Sequence, residues 1–131
     1  MSIGLVKLKH SDIPRYRDAI LKQQGGVCAI CGANLSSRSK KKPALDHSHS
    51  EGYLRGVLCL MCNQAEGRIK TWVTRAKGDK TELEWLAALY TYLNEEPKYR
   101  KYIHPTHKTE AEKRLARNKK VREKRAALKE K

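Results

Sequence analysis

The sequence predicts a mainly α-helical protein with one small β-hairpin. Two Cys-x-x-Cys pairs, Cys28/Cys31 and Cys59/Cys62, bracket two short strand-like segments. Outside that bracket, apolar residues recur at helical spacing. Hydrophobic residues make up only 39% of the 131 residues, with no phenylalanine. A core this thin needs a staple, such as a metal, a disulfide or a partner subunit.

Ser11-Asp12-Ile13-Pro14 opens the first helix, with a cap residue and the proline in the first turn. Ile13, Tyr16 and Ile20 follow at helical spacing, and Gly25-Gly26 stops the helix. Cys28-Ala29-Ile30-Cys31-Gly32 makes a tight turn, and Ser36–Lys42 is a polar loop carrying Arg38, Lys40, Lys41 and Lys42. A strand beginning near Pro43 carries Leu45 into Asp46, His47, Ser48 and His49. Ser50-Glu51-Gly52 is a turn, and Tyr53–Leu58 returns as a strand with Gly56 as a candidate bulge.

Cys59-Leu60-Met61-Cys62 repeats the turn, and Asn63 opens a helix with Ala65, Ile69, Trp72, Val73 and Ala76 on one face. Asn63-x-x-Glu66 there is also a plain capping pattern. Gly78-Asp79 breaks the helix, and Thr81-Glu82-Leu83-Glu84 is a capping box for the next. That helix carries Leu83, Leu86, Leu89, Tyr90 and Leu93 and should end before Pro97. Residues 108–131 hold 11 Lys or Arg against 4 Glu, with a weak stripe of Leu115, Val121 and Leu128. They read as one basic helix on DNA, or as a disordered arm when free. The chain thus divides into an N-terminal helix region (1–24), a metal-stapled core (25–78), a helical packing or dimerisation region (79–105) and a basic C-terminal helix or tail (106–131).

Lys and Arg number 29 against 14 Asp and Glu, a formal net charge of +15. Such an excess calls for a polyanionic partner, of which nucleic acid is the commonest. A ribosome- or membrane-surface-binding protein is the bland alternative. No run of 18 apolar residues exists, and the N-terminus lacks the apolar centre of a secretory signal. The expected location is therefore a reducing cytoplasm, where thiols bind metals more often than they form disulfides.

Two residues between cysteines let both sulfurs point at one ion, and four thiolates close a tetrahedron. Such a zinc has no open position and is structural. The alternative is four buried free thiols or a redox pair. The 27 residues between the pairs exceed the gap of a simple zinc ribbon, so something is built between them.

Asp46-His47-x-His49 supplies a carboxylate and two imidazoles within four residues. On a strand His47 and His49 share one face and Asp46 takes the other, so a twist or bulge must bring all three together. The zinc would fix this segment beside the helix that carries Asn63 and Glu66. The inventory suits phosphodiester hydrolysis. Asp46 and the Asn63 side-chain oxygen are hard ligands for Mg²⁺, and a neutral histidine near pH 7 can take a proton from attacking water. Ordinary half-buried histidines are the competing reading.

These residues resemble the recombination endonuclease VII family of tailed phages, within the HNH (ββα-metal, or His-Me finger) nucleases. The matching string is Cys28-Ala-Ile-Cys31-Gly, Leu45-Asp46-His47-Ser-His49 and Arg55-Gly56-Val-Leu-Cys59-x-x-Cys62-Asn63-x-Ala65-Glu66-Gly67. It continues weakly through Leu83-Glu84-Trp85-Leu86, Tyr92-Leu93 and Ile103-His104-Pro105. The resemblance implies a zinc-stabilised ββα-metal nuclease core followed by helices, in an intertwined dimer acting in the bacterial cytoplasm. His47 would be the general base, Asp46 and Asn63 would ligate Mg²⁺ or Mn²⁺, His49 would contact the scissile phosphate and Glu66 would support the site. The substrate would be branched DNA such as a Holliday junction, or duplex DNA that is nicked. The family's junction resolvase carries a sizeable domain after its Ile-His-Pro segment, where this sequence has the basic stretch 106–131. Arg38, Lys40, Lys41, Arg55, Lys119, Lys120, Arg122, Lys124 and Arg125 are the candidate DNA contacts. The alternative function is a zinc-stabilised nucleic-acid-binding protein without catalysis, which would have no need of Asp46, His47 and Asn63 together.

Overall fold

A computed structural model describes residues 4–36 and 38–130. The chain forms two compact units that meet in sequence between Tyr92 and Leu93. The first contains a 3-10 turn (His10–Asp12), α1 (Ile13–Gln23), β1 (Pro43–His47), β2 (Leu54–Cys59), α2 (Leu60–Ala76) and most of α3 (Glu82–Asn94). The second contains α4 (Glu110–Lys129). Among the described residues the architecture is mainly helical with one two-stranded antiparallel sheet, as the sequence predicts.

Helix α1 starts within the expected segment, with Asp12 at the N-cap position. A 3-10 turn precedes it, and the Asp12 carboxylate accepts from the Lys9 backbone N–H at 2.9 Å. Pro14 lies in the first turn of α1, where its missing N–H costs nothing. Gly25 and Gly26 both take positive φ, 73° and 76°, and the Gly26 N–H closes on the Leu21 carbonyl at 2.9 Å. Only glycine adopts this left-handed pair without strain, so the helix stops there and the chain turns toward the first cysteine.

The hairpin pairs Pro43 with Cys59, Ala44 with Leu58, Leu45 with Val57 and Asp46 with Gly56, then jumps to His47 with Leu54. Arg55 is therefore the extra residue, a β-bulge on β2 next to Gly56. The small core forms around this sheet, with the consecutive residues 56–59 of β2 all buried. Cys28, Leu35, Val57, Leu58 and Cys59 are buried, with Ile20, Leu21, Leu45 and Cys62 packed against them. The Leu60 N–H donates to the Lys42 carbonyl at 3.0 Å, which ties the start of α2 to the start of β1.

Helix α2 begins at Leu60 rather than at Asn63. The Cys59 sulfur accepts the Cys62 N–H at 3.3 Å and takes the N-cap role that the Asn-Glu pattern had suggested for Asn63. The capping box of α3 forms as expected, with Thr81 Oγ1 accepting from Glu84 N–H at 3.1 Å and Glu84 Oε2 accepting from Thr81 N–H at 2.7 Å. It ends at Asn94, ahead of Pro97. Of the apolar stripe on α2 only Val73 is buried, while Ile69 and Trp72 are exposed, as are Leu83, Tyr90 and Leu93 of α3. In the second unit, Thr109 and Glu112 form a reciprocal capping box for α4, whose residues are exposed throughout. Among the described residues, no helix is long and apolar enough to cross a membrane.

Candidate metal centre and hairpin site

The first Cys-x-x-Cys turn is shaped by backbone bonds. The Gly32 N–H returns to the Cys28 carbonyl at 3.0 Å, and Gly32 takes φ 70°, a left-handed position that suits glycine. The Ala29 N–H donates to the Val57 carbonyl at 3.2 Å, so the turn lies against β2. The second turn ends β2 and starts α2. These two turns bring all four sulfurs within 4.8 Å of one another. Cys31 Sγ and Cys59 Sγ are 3.9 Å apart, close to the roughly 3.8 Å edge of a tetrahedron with Zn–S bonds of about 2.3 Å. All four cysteines are free of disulfide bonds.

The electrostatics agree with a cation-binding cluster. Burial raises the pKa of Cys28, but backbone hydrogen bonds with Cys31, Cys59 and Ile30 outweigh it and bring the thiol down to about 6. A backbone bond from Cys62 lowers Cys59 as well. Hydrogen bonds with the Cys59 and Cys31 sulfurs, together with burial, push Cys62 up to about 12. Thiolates in contact repel one another, and a positive ion held among the four sulfurs would offset that repulsion. The donor set and spacing fit zinc. Among the described residues this is the one cluster of three or more Cys, His, Asp or Glu ligand atoms close enough to hold a metal.

The hairpin orders the second group of residues. Asp46 and Ser48 are buried while His47 and His49 are exposed, the alternation expected of extended chain. The two imidazole rings lie parallel on the exposed face, 5.3 Å between centroids and 5° between planes. Ser48 fixes the turn that holds them. Its N–H donates to the Tyr53 carbonyl at 2.8 Å, its carbonyl accepts from Gly52 at 2.8 Å and its hydroxyl accepts from Glu51 N–H at 3.2 Å. Gly52 sits at φ 82°, which closes this turn.

The bulge aims Arg55 across the sheet. Its Nε donates to Asp46 Oδ2 at 2.8 Å and its Nη2 to Asp46 Oδ1 at 3.0 Å, a two-pronged clasp on the carboxylate. The same Nη2 is 3.0 Å from Glu66 Oε1 on α2. The hydrogen bonds to Asp46, and after them that to Glu66, raise the guanidinium pKa above its ordinary value. Asp46 from β1, Arg55 from β2 and Glu66 from α2 are thereby joined, with His47 the next residue on the strand. Asn63 lies half-buried one turn before Glu66 on α2, and Glu66 is also half-buried.

The remaining candidates lie elsewhere. Arg38, Lys40 and Lys41 are exposed in the loop before β1. Beside that loop a cleft of about 640 Å³ is lined by Arg17, Lys22, Lys41 and Lys42, with Leu35 and Pro43. Lys119, Lys120, Arg122, Lys124 and Arg125 are exposed on α4.

Two supporting residues escaped the sequence reading. Ser48 was only the spacer between histidines. Gln24, to which the sequence reading gave no role, carries the longest-range side-chain hydrogen bonds among the described residues, spanning 33 positions. Its Nε2 donates to the Val27 and Val57 carbonyls at 3.0 and 2.9 Å, and its Oε1 accepts from the Val57 N–H at 2.8 Å. It acts as a surrogate strand on the outer edge of β2. A Cβ at Gly56 would meet Gln24 Oε1 at 3.0 Å, so the glycine makes room for this clasp. Their only sequence signal is a polar residue before Gly-Gly and a glycine within a strand.

The Gene 59 protein of Mycobacterium phage D29 is 44% identical over 46 residues, covering 35% of this chain and 27% of that protein. The Gene 59 protein of Mycobacterium phage L5 is 44% identical over 45 residues, covering 34% of this chain and 26% of that protein. The chain thus matches only about a quarter of the length of these curated relatives. The family model for recombination endonuclease VII matches residues 5–95, which include both cysteine turns, the whole hairpin, α2 and α3. The chain belongs to the recombination endonuclease VII family.

Proposed function

We propose that this protein is a metal-dependent DNA endonuclease of the HNH, ββα-metal type, hydrolysing phosphodiester bonds in branched DNA or nicking duplex DNA. The observation that carries the reading is the hairpin laid against α2. It leaves the His47 and His49 rings exposed side by side while Asp46, Arg55 and Glu66 meet behind them. Family membership supports a nuclease, and the net charge of +15 supports a polyanionic substrate.

In this reading the cysteine zinc is structural and sets the angle between hairpin and helix. His47 accepts the proton of an attacking water, since a neutral imidazole on an exposed face has access to both water and substrate. The His49 ring, stacked beside it, contacts the scissile phosphate. Asp46 and the Asn63 side-chain oxygen offer hard oxygen ligands, and Mg²⁺ or Mn²⁺ held there would stabilise charge on the phosphate and the leaving oxygen. With Cys59 serving as the cap of α2, the Asn63 amide is not needed for capping. Glu66 supports Asp46 through Arg55. The basic loop, the cleft beside it and α4 supply phosphate contacts, which position DNA without reading its sequence. A homodimer is part of the proposal. The exposed apolar residues Ile69 and Trp72 of α2 and Leu83, Tyr90 and Leu93 of α3 offer surface for it, and paired cuts across a junction need two sites.

The test is incubation of plasmid and of a four-way junction with the zinc-loaded protein and Mg²⁺, beside His47→Ala. Cleavage by the wild type with a loss of about 10²-fold or more in the variant is expected for removal of a general base. Equal cleavage by His47→Ala removes His47 from the mechanism. Tight DNA binding by the wild type with no cleavage of any form establishes instead a non-catalytic binding protein.

A further inference from the structure

In the proposed chemistry Arg55 serves only as the link between Glu66 and Asp46. It is the bulged residue of β2, so its side chain is free of the regular alternation and reaches the Asp46 carboxylate. Its guanidinium occupies both Asp46 oxygens and one oxygen of Glu66. The Asp46 side chain is 10% exposed, whereas that of Arg55 is 34% exposed. The carboxylate is therefore shut in, and its partner has one side open to solvent and to whatever docks on the hairpin.

Two cations cannot use the same carboxylate oxygens at full strength. A divalent ion arriving at Asp46 meets the guanidinium already there, and the trio's net charge is −1 rather than the −2 of the two carboxylates alone. A phosphodiester oxygen on docked DNA offers the guanidinium another acceptor, which arginine binds with the same planar fork. We propose that Arg55 is an exchangeable positioning residue. It holds Asp46 and Glu66 in the free protein and shifts toward a DNA phosphate on binding, so that DNA and the divalent cation bind cooperatively.

This inference rests on the reading of Asp46 as a cation ligand in a DNA-binding site. Reciprocity is its strict consequence: DNA must tighten cation binding by the same factor by which the cation tightens DNA. The free protein is then kept in a low-affinity state for metal, and the site assembles only when substrate is present.

The test uses full-length, zinc-loaded protein carrying His47→Ala, so that DNA stays intact, with and without Arg55→Gln and Arg55→Lys. Mn²⁺ binding is followed by electron paramagnetic resonance of the free ion, without DNA and with a saturating four-way junction. DNA affinity is measured separately with and without Mn²⁺. Zinc content and circular dichroism establish that each variant is folded. With Arg55 intact, the junction should tighten Mn²⁺ by roughly 5- to 50-fold and Mn²⁺ should tighten the junction equally. In Arg55→Gln, Mn²⁺ should bind the DNA-free protein more tightly by a similar factor, and the coupling should shrink toward one. Arg55→Lys, which keeps the charge and loses the fork, should fall between.

Unchanged or weaker Mn²⁺ binding in DNA-free Arg55→Gln, with normal binding in the protein that keeps Arg55, overturns the proposal and leaves the nuclease reading standing. Equal coupling in both does the same. If the Gln variant fails to fold, an absence of reciprocal coupling in the protein that keeps Arg55 still overturns the proposal, and a Lys variant with weakened coupling supports it. No Mn²⁺ binding by any form, with or without DNA, overturns the cation-ligand reading and this inference together.

Discussion

Replacing Gln24 should destabilise the protein well beyond the range of an ordinary half-buried polar substitution. Gln24→Ala removes three hydrogen bonds that join the end of α1 to the outer edge of β2. The losses are unequal. The Val57 carbonyl keeps its bond from the Ala29 N–H, but the Val57 N–H loses the acceptor on its outer side, in a residue that is 0% exposed. A buried N–H left without a partner costs about 1–3 kcal/mol, and each acceptor bond lost adds about 0.5–1 kcal/mol, for a total near 3 kcal/mol. Domains of this size have only about 5–15 kcal/mol to lose. With a urea slope of about 1–3 kcal/mol per molar, the midpoint should fall by roughly 1–3 M at constant zinc. Gln24→Glu is the sharper test. It keeps an acceptor for Val57 N–H but sets a carboxylate against the Val27 and Val57 carbonyls, so it should be no better than alanine. A change below about 0.5 kcal/mol for Gln24→Ala would refute the reasoning, because that is the range of an ordinary surface substitution.

Removing zinc with a strong chelator should collapse the hairpin signal and the helix content of α2 together, since structural zinc supplies about 10–16 kcal/mol in small fingers, as much as a whole domain's stability; retention of native circular dichroism in metal-free protein would contradict this. Acidification should release zinc, because protons compete for the thiolates, and release should be fully reversed on returning to neutral pH with metal present. Changing Lys119, Lys120, Arg122, Lys124 and Arg125 together to glutamine should weaken all DNA forms alike. At about 100° per residue these five spread around α4, so only some can face one DNA backbone at a time, and the log–log salt slope should fall by about 2–3 rather than by the full 4–5; an unchanged slope would remove α4 from the interface.

Much of the fold is legible because it depends on local chemistry. The Cys-x-x-Cys spacing, the Gly25-Gly26 stop and the Thr81–Glu84 box each act within a few residues, and each appears in the structure. The start of α2 was misread for an equally local reason. Asn63-x-x-Glu66 has the form of a cap, but Cys59 sits three residues from Cys62 in the same geometry and its sulfur is held in place by the cluster. The joint of Asp46, Arg55 and Glu66 could not be read in advance. It depends on one unpaired residue in β2, and a shift of one position in register carries every side chain to the other face. Gln24 escaped because its partners lie as far as 33 residues away and are backbone atoms, which leave no mark on composition. The stripes of α2 and α3 are largely exposed. Helical spacing shows that a stripe exists, not what covers it.

The two roles of Cys59, as metal ligand and as helix cap, have a consequence for how the chain comes off the ribosome. Cys31 and Cys59 are separated by 28 positions, which take roughly 1.5–6 s to synthesise at about 5–20 residues per second. During that interval Cys28 and Cys31 form half a site with nothing to close it, and α2 has not yet been made. Once Cys62 emerges, capture of one ion closes the long loop, and the sulfur that completes the site also accepts the Cys62 N–H that starts the helix. Metal supply then governs the moment of folding as well as the final stability. A zinc-starved cell should accumulate nascent chains with the hairpin unmade, and these would be ready targets of its proteases.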